Sequence, residues 1–139
     1  MLAIEYLNRF ECYFLTTAAD AAELVTRVAH PNFKTMFDTF HAHIEEKTQA
    51  GAIRTVAPHL GHVHISENDR GTPGTGQVRW DEAFKTLKDV GYDGWLVIEA
   101  FGRALPDLAA ATRVWRDLFP SAREVYTHGL KLIKQKWAA

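Results

Sequence analysis

Leu60-Gly61-His62-Val63-His64-Ile65 is a short apolar run that carries two histidines. Alternate residues of a strand point the same way, so His62 and His64 share a face. The run gives way to Asn68–Gly76, where Gly71, Gly74, Gly76 and Pro73 mark a long loop. Trp80–Val90 follows with Phe84 and Leu87 at helical spacing, both facing inward. Strand, loop and helix in this order make one β-α unit.

The same unit recurs on both sides. Leu2–Ile4 is a strand that reaches Glu5. Thr17–Ala29 is a helix, with Thr17 as cap, Asp20 three residues on, and Leu24, Val25 and Val28 on one face. Phe33–Phe37 is a strand ending at Asp38, and Ile44–Val56 is helical with a break expected near Gly51. Beyond the turn Gly91–Gly94, Trp95–Ile98 is an apolar strand leading to Glu99, and Leu105–Leu118 is a helix. Pro120 separates a last helix, Ser121–Trp137, whose Tyr126, Leu130, Ile133 and Trp137 read as a core-facing stripe weakened by Gly129. Strands alternating with helices imply a parallel sheet in an α/β fold. Four such units, Met1–Phe119, precede the C-terminal helix at 120–139, with no linker between them, so 1–139 reads as one domain. An eight-unit barrel takes ~250 residues. Four units are therefore half a barrel, and a small open sheet is the alternative.

Composition bounds the function. Sixteen basic and 17 acidic side chains leave a net charge of -1, which provides no electrostatic footprint for nucleic acid or an anionic membrane. Eight Phe, four Tyr and four Trp supply enough apolar surface for a packed core. Cys12 is the single cysteine, so no intrachain disulfide forms, and a reducing, cytoplasmic setting is expected. No apolar run approaches the ~20 residues of a membrane span. Met1–Phe10 contains Glu5 and Arg9 and no signal-peptide core, so a soluble intracellular chain is expected.

Glu5, Asp38, His64 and Glu99 each stand at or beside the C-terminal end of a strand, about one β-α unit apart. In a barrel those ends converge on one face, where active sites lie. Three carboxylates and an imidazole suit a hard to borderline divalent ion such as Mn²⁺ or Mg²⁺.

The local contexts sharpen this. Glu5-x-x-Asn8-Arg9-Phe10-Glu11, then Asp38-Thr39-Phe40-His41 with Glu45-Glu46, then Gly61-His62-Val63-His64-x-x-Glu67-Asn68-x-Arg70 with Pro73-Gly74-x-Gly76, and finally Glu99-x-Phe101 occur in order. The pattern resembles the sugar isomerase/epimerase superfamily of the xylose-isomerase-like TIM barrel. Within it the chain is most similar to ketose 3-epimerases of the tagatose/psicose 3-epimerase type. The resemblance runs from Leu2 to Phe119 and implies the C-terminal half of a (β/α)8 barrel. It implies that Glu5, Asp38, His64 and Glu99 hold one divalent metal, commonly Mn²⁺, with Mg²⁺ or Co²⁺ as alternatives. It further implies that Glu5 and Glu99 move protons at C3 of a ketose, while Glu11, His41 and Arg70 bind substrate oxygens.

Relatives of this kind are roughly twice as long, and the match places Met1 just before the fifth strand. Two sheet edges, Leu2–Ile4 and Trp95–Ile98, are then open, and a homo-oligomer that covers them is expected. An inactive half-barrel remnant and another sugar or inosose isomerase or dehydratase are the competing readings. Among the remaining residues, His62 is expected as a packed, hydrogen-bonded core histidine and Cys12 in the sheet-to-helix packing. Glu67 and Asn68 are expected to order the long loop, which lacks the Walker lysine pattern and is not a phosphate cradle.

Overall fold

The computed structural model describes Met1–Ala139. Four strands, β1 (Leu2–Ile4), β2 (Phe33–Asp38), β3 (Leu60–Ile65) and β4 (Leu96–Ile98), form one sheet in the order β1-β2-β3-β4. Every neighbouring pair is parallel. The helices are α1 (Ala18–Val28), α2 (Thr39–Glu45), α3 (Gln49–Val56), α4 (Trp80–Asp89), α5 (Pro106–Ala111) and α6 (Ala122–Ala138). Each strand is followed by helix before the next begins, as in half of a TIM barrel.

Local chemistry sets the boundaries. Thr17 and Asp20 form a reciprocal capping box at the start of α1, with both hydrogen bonds at 3.2 Å. Ser121 caps α6 by accepting from the Glu124 N–H at 3.2 Å. The expected break near Gly51 falls earlier, at Glu46–Thr48. Thr48 caps α3 by accepting from the Gly51 N–H at 2.9 Å, so Gly51 lies inside the first turn instead of ending a helix. Helix also starts sooner than expected, at Thr39, because the Asp38 carboxylate receives the Phe40 and His41 N–H groups.

The helix expected over Leu105–Leu118 stops at Ala111. Arg113 adopts a left-handed conformation (φ 58°), and the Val114 N–H donates back to the Ala109 carbonyl at 2.9 Å. That 6→1 closure buries Val114 and turns the chain away.

The sheet packs its helix-facing side, including Phe37, Val63 and Ile65, against α1, α3 and α4 through Ala21, Ile53, Ala83, Phe84 and Leu87. Each large side chain buried there contributes about 1.5–3 kcal/mol. The opposite, concave side carries Met36, Asp38, His62 and His64, in register across β2 and β3, with Val97 opposite His64 on β4. Trp95 lies just outside β4 and is 78 % exposed.

The α6 stripe is also corrected. Val125 and Gly129 are the buried positions, Leu132 and Ile133 pack against the core, and Tyr126 and Leu130 are 56 % and 48 % exposed. Gly129 is the seat of the helix: a Cβ there would come 2.8 Å from Ile98 Cδ1, so any larger residue would make the Ile98 side chain shift for α6 to lie this close to β4. Trp137 does pack, edge-on to Phe84 with ring centroids 6.3 Å apart. Cys12 lies in the β1–α1 loop, where its Sγ accepts from the Phe14 N–H, and not between sheet and helix.

Candidate functional site

Parallel pairing brings the strand ends together. Asp38 stands opposite His64 in the β2–β3 register, and the Glu99 N–H continues the ladder by donating to Ile65 O at 3.1 Å. Thr39 clamps the ends of β2 and β3, accepting from the Ser66 N–H at 2.8 Å and donating to Ser66 O at 2.6 Å. The result is a cluster in which His64 Nδ1 lies 3.4 Å from Asp38 Oδ2, 3.3 Å from Glu99 Oε1 and 3.9 Å from Glu5 Oε1. All four strand-end residues singled out in the sequence therefore meet.

The donor atoms fit a dication. Six buried side-chain polar atoms lack a hydrogen-bond partner, and three of them are Glu5 Oε1, Asp38 Oδ2 and His64 Nδ1. Such atoms are costly unless something satisfies them. Ligand atoms of Asp38, His64 and Glu99 lie within 4.8 Å of one another, as do those of Glu5, Asp38 and His41. Asp38 belongs to both groups because its Oδ1 is spent on capping α2, at 2.7 Å from Phe40 N, which leaves Oδ2 aimed into the cluster. Asp38, His64 and Glu99 form one group able to hold a divalent ion and Glu5, Asp38 and His41 another, each a set of oxygens and one imidazole.

Crowding shifts the protons. Burial, together with the charges of Asp38 and Glu99, raises Glu5 to about 7. Burial also raises Asp38. Burial pulls on His64 in the downward direction, but the neighbouring Asp38 and Glu99 carboxylates outweigh it and hold the imidazole at about 10. For Glu99 burial acts upward, and His64 and Arg70 override it to reach about 2. Burial and the Arg70 charge lower His41 to about 3, so its ring is neutral at physiological pH.

The three expected substrate-binding residues stand around this cluster. Arg70 has a left-handed backbone (φ 67°), a conformation that costs a non-glycine residue about 1–2 kcal/mol. Its guanidinium lies over the Phe40 ring at 3.7 Å and near the Phe101 ring at 4.9 Å. Nη1 donates to Ser66 Oγ at 3.2 Å and pairs with Glu99, with Asp38 Oδ2 3.6 Å away. Nη2 lies 3.0 Å from His41 Nε2 and 3.9 Å from Glu11 Oε2.

Glu67 is fully buried and orders the long loop, accepting from the N–H groups of Asn68, Gly74 and Val78 and from the Trp80 indole. Asn68 Oδ1 accepts from the Gln77 N–H at 2.8 Å. Gly76 leaves no room for a side chain, because a Cβ would come 2.7 Å from Glu67 Cδ. His62 is half-buried, edge-on to His64 with centroids 5.1 Å apart, and forms no side-chain hydrogen bond, so the expectation of a hydrogen-bonded core position is not met. Its ring is partly exposed to solvent, which can satisfy its nitrogens.

Sequence reasoning missed Thr39 as a clamp and Phe40 and Phe101 as flanks of Arg70. Thr39 and Phe40 lie in the quoted Asp38-Thr39-Phe40-His41 run, which was a usable signal. Phe101 lies in the quoted Glu99-x-Phe101 run, but nothing local pairs it with Arg70, 31 positions earlier.

A half-barrel with a carboxylate and imidazole cluster at its strand ends defines a class, and comparison with known proteins gives the family. The chain belongs to the xylose isomerase-like TIM barrel family, whose model matches residues 1–135. It is 44 % identical over 121 residues to a D-psicose 3-epimerase of Ruminiclostridium cellulolyticum, covering 87 % of this chain and 41 % of that protein. It is 38 % identical over 135 residues to a probable ketose 3-epimerase of Synechocystis sp., covering 97 % of this chain and 47 % of the relative. Among solved structures, D-psicose 3-epimerase with D-tagatose from Clostridium cellulolyticum H10 superimposes with a TM-score of 0.87 at 38 % identity, over 96 % of this chain and 47 % of the other. D-allulose 3-epimerase of Methylomonas sp. in complex with D-allulose gives 0.91 at 32 % identity, over 96 % and 47 %. The chain spans about half the length of the curated relatives it matches. No helix is long and apolar enough to cross a membrane.

Proposed function

We propose that this chain epimerises a free ketose at carbon 3, by metal-dependent proton transfer through an enediolate. The observation that carries the reading is the meeting of Glu5, Asp38, His64 and Glu99 around three unpartnered buried donor atoms, with Arg70 and His41 alongside. Similarity to proteins named as ketose 3-epimerases supports it.

Glu5, Asp38, His64 and Glu99 would hold one divalent ion, with Mn²⁺ favoured over Mg²⁺ or Co²⁺. The ion, when bound, supplies Lewis-acid stabilisation of negative charge on substrate oxygen. The proton on carbon 3 lies next to the ketone and is acidified by it. Glu5 follows β1 and Glu99 follows β4, the two outer strands, which supports a reading in which a sugar between them has a carboxylate on each face. One carboxylate removes the C3 proton and leaves the electron pair in the enediolate. The other, in its acid form, returns a proton from the opposite side and inverts the centre. Arg70 presents its planar fork, and His41 a neutral ring, to the sugar oxygens, while Glu11 accepts from a hydroxyl.

Incubating several ketoses with the chain, with and without Mn²⁺, tests this. Epimers form only with the metal, and Glu99→Gln abolishes turnover while the far-ultraviolet dichroism stays unchanged. Failure to convert any ketose in the presence of Mn²⁺ overturns the reading. The identity of the product separates the epimerase from an aldose–ketose isomerase or an inosose isomerase or dehydratase of the same superfamily.

A second reading is favoured by the open edges of β1 and β4. An inactive half-barrel would keep the ligands and fold by association without turnover. Either reading takes 1–139 as one half-barrel domain that self-associates through those edges, because unpaired strand backbone beside exposed Leu2, Trp95 and Val97 invites pairing. The single cysteine supports a cytoplasmic setting.

A further inference from the structure

Asn8 lies in the β1–α1 loop, buried, and none of the roles above uses it. Opposite demands at its two ends fix its carboxamide. Oδ1 accepts from the Phe10 N–H at 2.9 Å, and Nδ2 donates to Glu11 Oε1 at 2.9 Å. Turning the amide round would set donor against donor and oxygen against carboxylate, so only one orientation satisfies both. Nδ2 then faces Nδ1 of His41 at 3.0 Å, and the main-chain N–H of Asn8 donates to the same Nδ1 at 2.9 Å.

A ring nitrogen that receives N–H donors presents a lone pair and not a proton. An imidazole that accepts at Nδ1 carries its proton on Nε2, and His41 is such a ring. Nε2 lies 3.0 Å from Arg70 Nη2, which is itself an obligate donor, and 3.7 Å from the unpartnered Glu5 Oε1. His41 and Arg70 are thus two N–H donors side by side and not a bonded pair. Two N–H donors this close can serve a single oxygen that carries developing negative charge.

We propose that Asn8 is a positioning residue: its main-chain N–H, seconded by its carboxamide, sets the Nε2–H tautomer of His41, and the carboxamide aims the Glu11 carboxylate, so that His41 and Arg70 together present two N–H groups to one substrate oxyanion. The oxyanion part rests on the ketose reading, whereas the tautomer does not.

Long-range ¹H–¹⁵N correlation spectra of the full chain, loaded with diamagnetic Mg²⁺, read the ring nitrogens directly. The His41 signals are those that vanish in His41→Gln. The expected pattern is an unprotonated Nδ1 and a protonated Nε2. Asn8→Asp places a carboxylate oxygen against Nδ1 and draws a proton onto it. It is expected to lower kcat by about 10², the scale for losing one oxyanion donor, with KM little changed and Mg²⁺ affinity retained. Asn8→Ala keeps the main-chain donor, so the tautomer persists while the hold on Glu11 is lost. A wild-type His41 protonated on Nδ1, or Asn8→Asp spectra identical to wild type, would overturn the proposal. Should Asn8→Asp fail to fold, the wild-type spectrum alone decides. Should no ketose be converted, the spectrum still decides the tautomer, and only the ketose reading falls.

Discussion

Glu67 and Trp80 are joined across the long loop, the indole N–H of Trp80 donating to Glu67 Oε2 at 3.1 Å within a fully buried environment. The same carboxylate gathers the N–H groups of Gly74 and Val78, so one side chain ties the end of β3 to the start of α4. Each buried donor left without a partner costs about 1–3 kcal/mol. Glu67→Ala is expected to destabilise the chain by about 3 kcal/mol or more in urea unfolding. A loss below about 1 kcal/mol would show that the loop holds itself together without it.

Asp38 divides its two oxygens between folding and the ligand cluster, and Asp38→Asn separates the two. The amide oxygen still caps α2, and a buried negative charge is removed, so stability should change by less than about 1 kcal/mol. Mn²⁺ affinity should fall by about 100-fold or more, because one anionic ligand is lost. Calorimetric titration with Mn²⁺ and thermal unfolding of the same sample check both halves. An unchanged affinity would remove Asp38 from the ligand set.

Binding a dication must displace protons. His64, held at about 10, carries a proton throughout the neutral range of the metal-free chain, and Glu5, at about 7, carries roughly half of one. Ion uptake at pH 7 should therefore release about one to two protons. The sign is fixed by the raised values: affinity climbs as pH rises, since fewer protons remain to be expelled, and levels off only near pH 10. Titrations in two buffers of different ionisation heat count the protons, and buffer-independent heats would refute the prediction.

Gly129→Ala opposes two effects. A helix interior gains about 1 kcal/mol from alanine in place of glycine. The new Cβ lands 2.8 Å from Ile98 Cδ1, and overpacking of this kind costs about 1–3 kcal/mol. The clash should win, lowering the melting temperature and loosening α6 from β4. A more stable variant would mean that Ile98 yields freely.

Self-association through the outer strands should raise the solution mass above the 15.7 kDa of one chain. Trp95→Glu places a charge beside the open edge of β4 and should shift the equilibrium toward monomer, while a surface change far from it, Lys47→Glu, should not. Sedimentation at several concentrations measures this. A monomer at all concentrations would remove the oligomer from the proposed function.

The strands and their polar ends were legible because a buried parallel strand is a short apolar run, and a side chain that follows it stands out. Glu5, Asp38, His64 and Glu99 are of this kind. Cap chemistry was half legible: Thr17 with Asp20 announces α1, while the cap that Asp38 gives α2 hides behind its other role. What stayed dark depends on distance or on backbone angles. Arg113 ends α5 in a conformation that its side chain does not advertise. The inward face of α6 follows from where Gly129 meets Ile98, so Tyr126 and Leu130, spaced like core residues, are left facing out. The setting of His41 by Asn8 spans 33 positions and has no periodicity to betray it.

The shared duty of Asp38 bears on how descent would be read across a lineage. A descendant that abandoned the chemistry would still need an oxygen at this position to start α2, so an aspartate or asparagine would be retained under selection for folding alone. Glu5 and Glu99, which cap no helix, would be free to drift. Retention of Asp38 is therefore poor evidence that a distant homologue is alive as an enzyme, and the fate of the two glutamates is the better witness.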